Sequence, residues 1–337
     1  MGYWYNVNLG TDNITVSSRV RLARNISNLP FPSKMSKQER EKLNSVVKDA
    51  LLPSEISEKY NLKYIRMSDV PENERFAMME RHTVSREFID KSETSAIVLS
   101  DDERVSIMIG EEDHIRIQVI SSGKEFENIY NIANEIDEYL CSKLDIAFSD
   151  RFGFLTECPT NVGTGMRISA MMHLPLLEGF GRIPILQEWI NKSGFTIRGT
   201  YGEGSKVYSS LYQVSNQITL GSSEKDILSS LKTIVERLTK QENDLRANLD
   251  IKKLEDDCFR SLYLLKGARI ISSNEMMTLL SKVMIGINRG LIGENAANPI
   301  SILINCQPYM LISKYGVSEV SERDEIRGKY LRENINI

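Results

Sequence analysis

Arginine recurs beside glycine, hydroxyl and carboxylate residues in SSRVRLAR (Ser17–Arg24), GEEDHIR (Gly110–Arg116), CPTNVGTGMR (Cys158–Arg167) and RGTYGEG (Arg198–Gly204). A guanidinium stays charged near neutral pH, and its planar fork matches phosphate oxygens two at a time. Arg19 and Arg21 stand two apart, so on a strand they leave the same face. Arg116, Arg167 and Arg198 each adjoin a turn or a glycine-rich loop. Together these arginines could neutralise a nucleotide triphosphate without a phosphate-loop lysine. No lysine follows the last glycine of CPTNVGTGMR, so that loop is not a Walker motif. Taken singly, each arginine reads as a solvated surface charge.

The carboxylates suggest the acceptor. Glu112 precedes Arg116 by four residues, and Glu203 follows Arg198 by five. A guanidinium acceptor is a poor nucleophile because it stays protonated. Two carboxylates gripping its nitrogens would orient it, and one could take a proton as the P–N bond forms. The bland alternative is an acidic, solvated turn for Glu112 and a plain loop for Glu203. Cys158 beside arginines would favour its thiolate and could help fix a cationic substrate. His82 could stack on a base or bond a ribose, whereas His114 and His173 carry no functional expectation. Met171 and Met172 read as core.

Positioning these groups requires strands and helices in alternation. SKQEREKLNSVVKDALL and FENIYNIANEIDEYLCSKL have apolar residues at helical spacing, and TSAIVLS reads as a buried strand. Residues 105–120 predict a hairpin with the polar tip Glu111–His114, its second strand sending Arg116 and Gln118 to one face. In the segment from Phe195, Phe195 and Ile197 alternate with Thr196 and Arg198. SEKDILSSLKTIVERL opens with a capping box, Ser223 and Asp226, and the remainder is helical in pattern. A boundary is expected near residue 245, between a catalytic part (1–245) and a helical part (246–337).

Bulk properties narrow the classes. A net charge of −4 offers no global basic field for nucleic acid or a membrane surface, so any anion site is local. The cysteines lie far apart with no C-x-x-C pair, which disfavours a zinc site or a disulfide framework. The opening MGYWYNVNLG lacks a basic region followed by an apolar stretch, and Asn6 stands where myristoylation needs Ser or Thr. With no apolar run of spanning length, a cytoplasmic protein is expected.

In this combination and order, SSRVR, EEDHIR, CPTNVGTGMR and RGTYGE resemble the catalytic domain of the guanidino (phosphagen) kinases, over roughly residues 14–245. The resemblance implies an α+β fold, a largely antiparallel sheet flanked by helices, with ATP and Mg2+ as cofactors. It implies that Arg19, Arg21, Arg116, Arg167 and Arg198 bind phosphates and that His82 lies near adenine and ribose. The remaining nucleotide-binding positions are Ser17, Ser18, Val20, Ile168, Ser169, Ala170, Met171, Gly199, Thr200, Tyr201, Gly202 and Glu203. Glu112 and Glu203 match the glutamates that hold and activate the guanidinium, and Cys158 the active-site cysteine. No protein metal ligand is implied, since magnesium would be held through the phosphates.

Within that family the closer resemblance is to the bacterial protein-arginine kinases. SSRVR begins at Ser17, leaving no room for the helical N-terminal domain that helps enclose a small substrate. Gly204 stands where the small-substrate enzymes carry His, and a helical C-terminal part is appended. An open site suits an arginine on a protein surface. RDEIRG (Arg323, Asp324, Arg327 and Gly328) resembles the R-D-x-x-R-A motif of an allosteric phosphoarginine pocket, with Gly328 in place of Ala. The resemblance further implies protein substrates bearing exposed arginines, an activator protein, a Clp ATPase, a heat-shock repressor and a homodimer through the C-terminal helices. A kinase for a small guanidino compound and a non-catalytic phosphoarginine-binding adaptor are the competing readings.

Overall fold

The computed structural model describes residues 2–200 and 209–336. Its strands are β1 (Thr15–Arg24), β2 (Leu62–Arg66), β3 (Ala96–Ser100), β4 (Val105–Ile109), β5 (Ile115–Ser122), β6 (Phe148–Ser149), β7 (Gly153–Phe154), β8 (Met166–His173), β9 (Phe195–Gly199) and β10 (Leu211–Asn216). The first helices are α1 (Lys37–Leu51), α2 (Glu55–Lys59), α3 (Glu72–Glu80), α4 (Arg86–Asp90), α5 (Phe126–Lys143), α6 (Pro175–Gly179) and α7 (Ile183–Lys192). Then come α8 (Glu224–Ala247), α9 (Ile251–Gly267), α10 (Ser273–Asn288), α11 (Pro299–Asn305), α12 (Pro308–Tyr315) and α13 (Val320–Asn334). Eight of the strands form one antiparallel sheet in the order β2-β3-β4-β5-β1-β8-β10-β9, while β6 and β7 form a small hairpin.

Alternation gives this sheet two different faces. Val20 and Leu22 of β1, Ile117 and Val119 of β5, Ile168 and Ala170 of β8 and Val214 of β10 are fully buried in one core. Helices α5 and α8 cover them, contributing Ile129, Ala133 and Ile136 and then Ile227, Leu231 and Val235. Burying each valine, leucine or isoleucine side chain contributes roughly 1.5–3 kcal/mol, which fixes the strand register, since a one-residue slip would turn this row outward. The opposite face carries Arg19, Arg21, Arg116, Arg167 and Arg198.

A second core joins the chain's two ends. Trp4 and Tyr5, with Ile120 and Leu211 from the sheet, pack with Leu262, Leu265, Met276, Leu280 and Leu303 of the C-terminal helices. Asn13 Nδ2 donates to the Met284 carbonyl at 2.8 Å. The Glu80 carboxylate accepts the Tyr309 and Met310 amides at the start of α12, at 3.1 and 2.8 Å. Helix α8, capped by Ser223 and Asp226 as its sequence predicts, runs past residue 245 to Ala247 and belongs to the first core. The second helical group starts at α9.

Candidate active site

Strand register brings the arginines together. Arg21 pairs with Arg167 across one neighbouring strand and with Gln118 across the other. Arg116 stands opposite Ala23, Arg19 opposite Ser169, and Arg198 opposite Gln213. Residues opposite one another in an antiparallel pair share a face, so these side chains converge. Burial and then the charges of Arg19, Arg116 and Arg167 push the Arg21 guanidinium well below its usual range. Burial, then Arg198 and Arg116, lower Arg167 as well. Arg167 Nε is buried without a hydrogen-bond partner in the described structure. Cations crowded this closely suit an anion, because its negative charge would relieve their mutual repulsion.

Most of the acidic hairpin tip is buried, unlike the solvated turn of the bland alternative. Glu111, Asp113 and His114 are fully buried, and Glu112 is the tip carboxylate that reaches solvent. Arg116 draws the tip inward, donating through Nη1 to Glu111 at 2.6 Å and through Nη2 to Glu112 Oε2 at 3.2 Å. Ser85 Oγ donates to the same Glu111 oxygen, and Lys91 Nζ to the Glu111 carbonyl at 2.6 Å. Asp113 Oδ1 accepts from Asn25 Nδ2 at 2.7 Å and from the Glu157 amide at 2.8 Å, tying the tip to the Cys158 loop. His114 accepts the Ile26 amide at Nδ1 and contacts the Pro30 carbonyl through Nε2, a structural role.

Glu112 and Arg116 thereby face the loop across a cavity of about 190 Å³, also lined by Arg21, Ala23, Cys158, Thr160, Asn161, Gly165 and Arg167. Cys158 Sγ lies 3.0 Å from Thr160 Oγ1. The loop turns sharply at Gly163, φ +114°, where a Cβ would sit 2.2 Å from the Thr219 carbonyl oxygen. Glycine is required there by both torsion and space. Thr219 Oγ1 donates towards the Thr160 and Val162 carbonyls at 2.8 and 2.7 Å, which fastens the loop to the segment after β10.

A neighbouring cavity of about 240 Å³ is lined by Ser17, Arg19, His82, Ile120, Ser169, Met171, Thr200 and Gln213. Arg19 Nη2 donates to Gln213 Oε1 at 2.9 Å. His82 follows α3 at φ +63°, and its carbonyl accepts Gln118 Nε2 at 2.7 Å. Burial, then Arg19, pushes the His82 imidazole down to about 3, so it is neutral near physiological pH. One cavity is charged and the other mixed polar and apolar, side by side on one sheet face. The pair has the character needed for a phosphate chain and a base.

The structure separates other predicted positions from this site. Ser18, Val20, Ile168 and Ala170 have the opposite strand parity. Their side chains face α5 and the core, and Ser18 Oγ accepts the Glu125 amide at 3.1 Å. Gly199 ends β9 opposite Tyr212. Tyr201, Gly202, Glu203 and Gly204 lie outside the described residues. Sequence reasoning missed Glu111, Gln213 and Ser215, the last accepting Arg167 Nη2 at 3.5 Å. The parity of β10 against Arg198 was the signal that could have found Gln213 and Ser215.

RDEIRG lies on α13. Arg323 is part-exposed and donates to the Ser318 carbonyl. Arg327 points inward, 1% exposed, donating to the Cys306 and Ile271 carbonyls at 3.0 and 2.8 Å and pairing with Asp324. The two guanidiniums thus have separate partners and do not form one clamp in this arrangement. At Gly328, α13 passes close to a turn, and a Cβ there would sit 2.6 Å from the Arg269 carbonyl oxygen. Among the described residues, no group of three His, Cys, Asp or Glu side chains is placed to hold a metal ion.

Comparison with known proteins follows these two structural parts. Residues 42–245 match the model of the ATP:guanido phosphotransferase C-terminal catalytic domain. Residues 251–337 match that of the protein-arginine kinase McsB C-terminal domain. A protein-arginine kinase of Clostridium acetobutylicum is 41% identical, the match covering 99% of this chain and 100% of the relative. One from Geobacillus stearothermophilus is 39% identical over 99% of this chain and 93% of its own length. Among solved structures, the substrate-free duplicated taurocyamine kinase of Schistosoma mansoni superposes with a TM-score of 0.62 at 26% identity, covering 79% of this chain and 40% of that one.

Proposed function

The chain belongs to the ATP:guanido phosphotransferase family, alongside the protein-arginine kinases, and we propose that it transfers the γ-phosphoryl group of ATP to arginine side chains on proteins. The observation that carries this reading is the convergence of Arg21, Arg116 and Arg167 on a cavity also lined by Glu112 and Cys158. Arg19, Arg21, Arg116, Arg167 and Arg198 would hold the phosphates, and the cavity beside His82 would take the base. Glu112 would grip the acceptor guanidinium and accept its proton as phosphorus is attacked, with Glu203 as its partner and Cys158 against the same group. Fixing nitrogen in line with phosphorus, and charge at the transferring oxygens, supplies most of the acceleration in such transfers. Magnesium, carried on the phosphates, would offset their charge.

Phosphoarginine on proteins would be the product, marking them for a Clp protease and acting on a heat-shock repressor. An activator protein, a homodimer through the C-terminal helices and a cytoplasmic location belong to the same proposal. No helix in the described residues is long and apolar enough to cross a membrane. Phosphoarginine at RDEIRG would first meet Arg323 and Asp324, with Arg327 leaving its carbonyl partners to join them. The test is mass spectrometry under non-acidic conditions of a model protein incubated with the enzyme and Mg-ATP, beside a reaction with free arginine. Phosphoarginine in the protein alone is expected. Turnover of free arginine alone would make the chain a small-guanidino kinase, and neither product with ATP still bound would favour the adaptor.

A further inference from the structure

One arginine of SSRVRLAR faces away from the catalytic cavity and yet touches its wall from behind. Arg24 ends β1 on the helix-covered side and is 1% exposed. Nε and Nη2 donate to the two carboxylate oxygens of Asp137 on α5, at 2.8 and 2.7 Å. Nη1 donates to the carbonyls of Ala23, at 2.8 Å, and Thr164, at 3.0 Å. The guanidinium lies 3.5 Å from the centroid of Phe154 on β7. Phe154 is bonded in turn to the loop, its amide donating to the Gly163 carbonyl at 2.8 Å. A Cβ on Gly165 would come within 2.6 Å of Arg24 Nη1, so the chain turns over the arginine at a residue without one.

A single rigid fork thus joins a core helix, the β6–β7 hairpin and the turn of the loop that carries Cys158, Thr160 and Asn161. Ala23 and Gly165, on either side of it, line the catalytic cavity directly. A fully buried ion pair adds little net stability against an apolar replacement, so stability alone gives weak reason for one here. What the fork supplies is geometry, because planar donors at fixed angles hold Asp137 and Thr164 at a set separation. We infer that Arg24, oriented by Asp137 and Phe154, is a positioning residue that sets the height of the Cys158–Gly165 wall against Glu112 and Arg167. This rests on the phosphoryl-transfer reading of the site.

The full-length Arg24→Lys protein tests it. Lysine keeps the charge beside Asp137 but cannot also reach Thr164 or stack flat on Phe154. Displacing reacting groups by about an ångström costs roughly 100-fold, so kcat for phosphoarginine formation should fall by roughly that factor while ATP affinity stays near wild type. Alkylation of Cys158 by a small thiol reagent, followed on its own peptide by mass spectrometry, should change in rate. Phe154→Leu, which leaves the ion pair intact, should shift both readouts the same way by less, and it serves if Arg24→Lys fails to fold. Wild-type kcat with an unchanged alkylation rate would overturn the inference. So would a parallel loss of ATP affinity, kcat and melting temperature, which would make Arg24 a strut of the whole fold. If the wild-type protein forms no phosphoarginine, the proposed function fails, while the Cys158 rate still decides the role of Arg24.

Discussion

Two populations of arginine occupy this molecule, and the protein treats them in opposite ways. Arg24, Arg81 and Arg327 are buried and supplied with acceptors: a bidentate Asp137, the carboxylates of Glu103 and Glu74, and the carbonyls of Cys306 and Ile271 with Asp324. At Arg81 burial alone would lower the pKa, but Glu103 and Glu74 outweigh it and hold the guanidinium above its ordinary value. Arg21 and Arg167 are crowded by other cations, and both are pushed below their ordinary values. Arg24, Arg81 and Arg327 have carboxylate partners, and Arg116 keeps Glu111 and Glu112, whereas neighbouring cations dominate the surroundings of Arg21 and Arg167. Such a site costs stability when empty and regains it on binding.

The largest effect should follow from breaking the acceptor side. Glu112→Gln keeps the size of the side chain but cannot take a proton. Phosphoarginine formation should fall by roughly 10²–10⁴-fold, with ATP affinity within about twofold of wild type by calorimetry. Turnover near the wild-type rate would remove Glu112 from its assigned role.

The structural population should respond in stability instead. Arg327→Ala strands the Cys306 and Ile271 carbonyls and should cost about 3 kcal/mol in denaturant unfolding. Arg323→Ala, on the exposed part of the same helix, should stay within about 0.5 kcal/mol. That makes Arg323→Ala the usable probe of any response to phosphoarginine, since a response lost with Arg327 could reflect unfolding. Equal losses from the two substitutions would erase the distinction drawn between them.

Smaller effects are expected around the cavity beside His82. Gln213→Ala removes the acceptor of the 2.9 Å bond from Arg19, and loss of about 1 kcal/mol should raise the KM for ATP roughly fivefold with kcat unchanged. A fall in kcat alone would place Gln213 elsewhere in the reaction. His82 should contribute no ionisation to ATP binding between about pH 5.5 and 8, because burial and Arg19 hold it neutral. Its lowered pKa means the unfolded chain takes up the proton first, so its contribution to stability is present above about 6.5 and fades as pH falls towards 3. A step in affinity near 6.5 that vanishes in His82→Gln would contradict this.

How much of this was legible in the sequence follows from the range of the interactions concerned. The common face of Arg19 and Arg21, the hairpin that presents Glu112 and the glycine turn before Arg167 are local, set by alternation and backbone torsion. The same alternation separates Ser18 and Val20 from Arg19 and Arg21, but a motif matched as a block hides that parity. Burial of Glu111 was illegible because an EED triplet looks solvated until Arg116, Ser85 and Lys91 are seen around it. Burial of Arg327 was illegible because helical spacing shows which residues share a face, not that the end of α11 and the turn at Ile271 lie against that face. The clasp between Glu80 and the start of α12 spans more than two hundred residues, beyond any local pattern.

Whether the crowded arginines hold a ligand or brace the fold is decided by how the protein responds to losing one of them. Thermal unfolding of Arg21→Met against wild type, each with and without Mg-ATP, tests it most directly. A ligand site requires a ligand-free variant at least as stable as wild type, relieved of like-charge crowding, that has lost the ATP-induced rise in melting temperature. A variant markedly less stable without ligand, yet still stabilised by ATP to the wild-type extent, would contradict it.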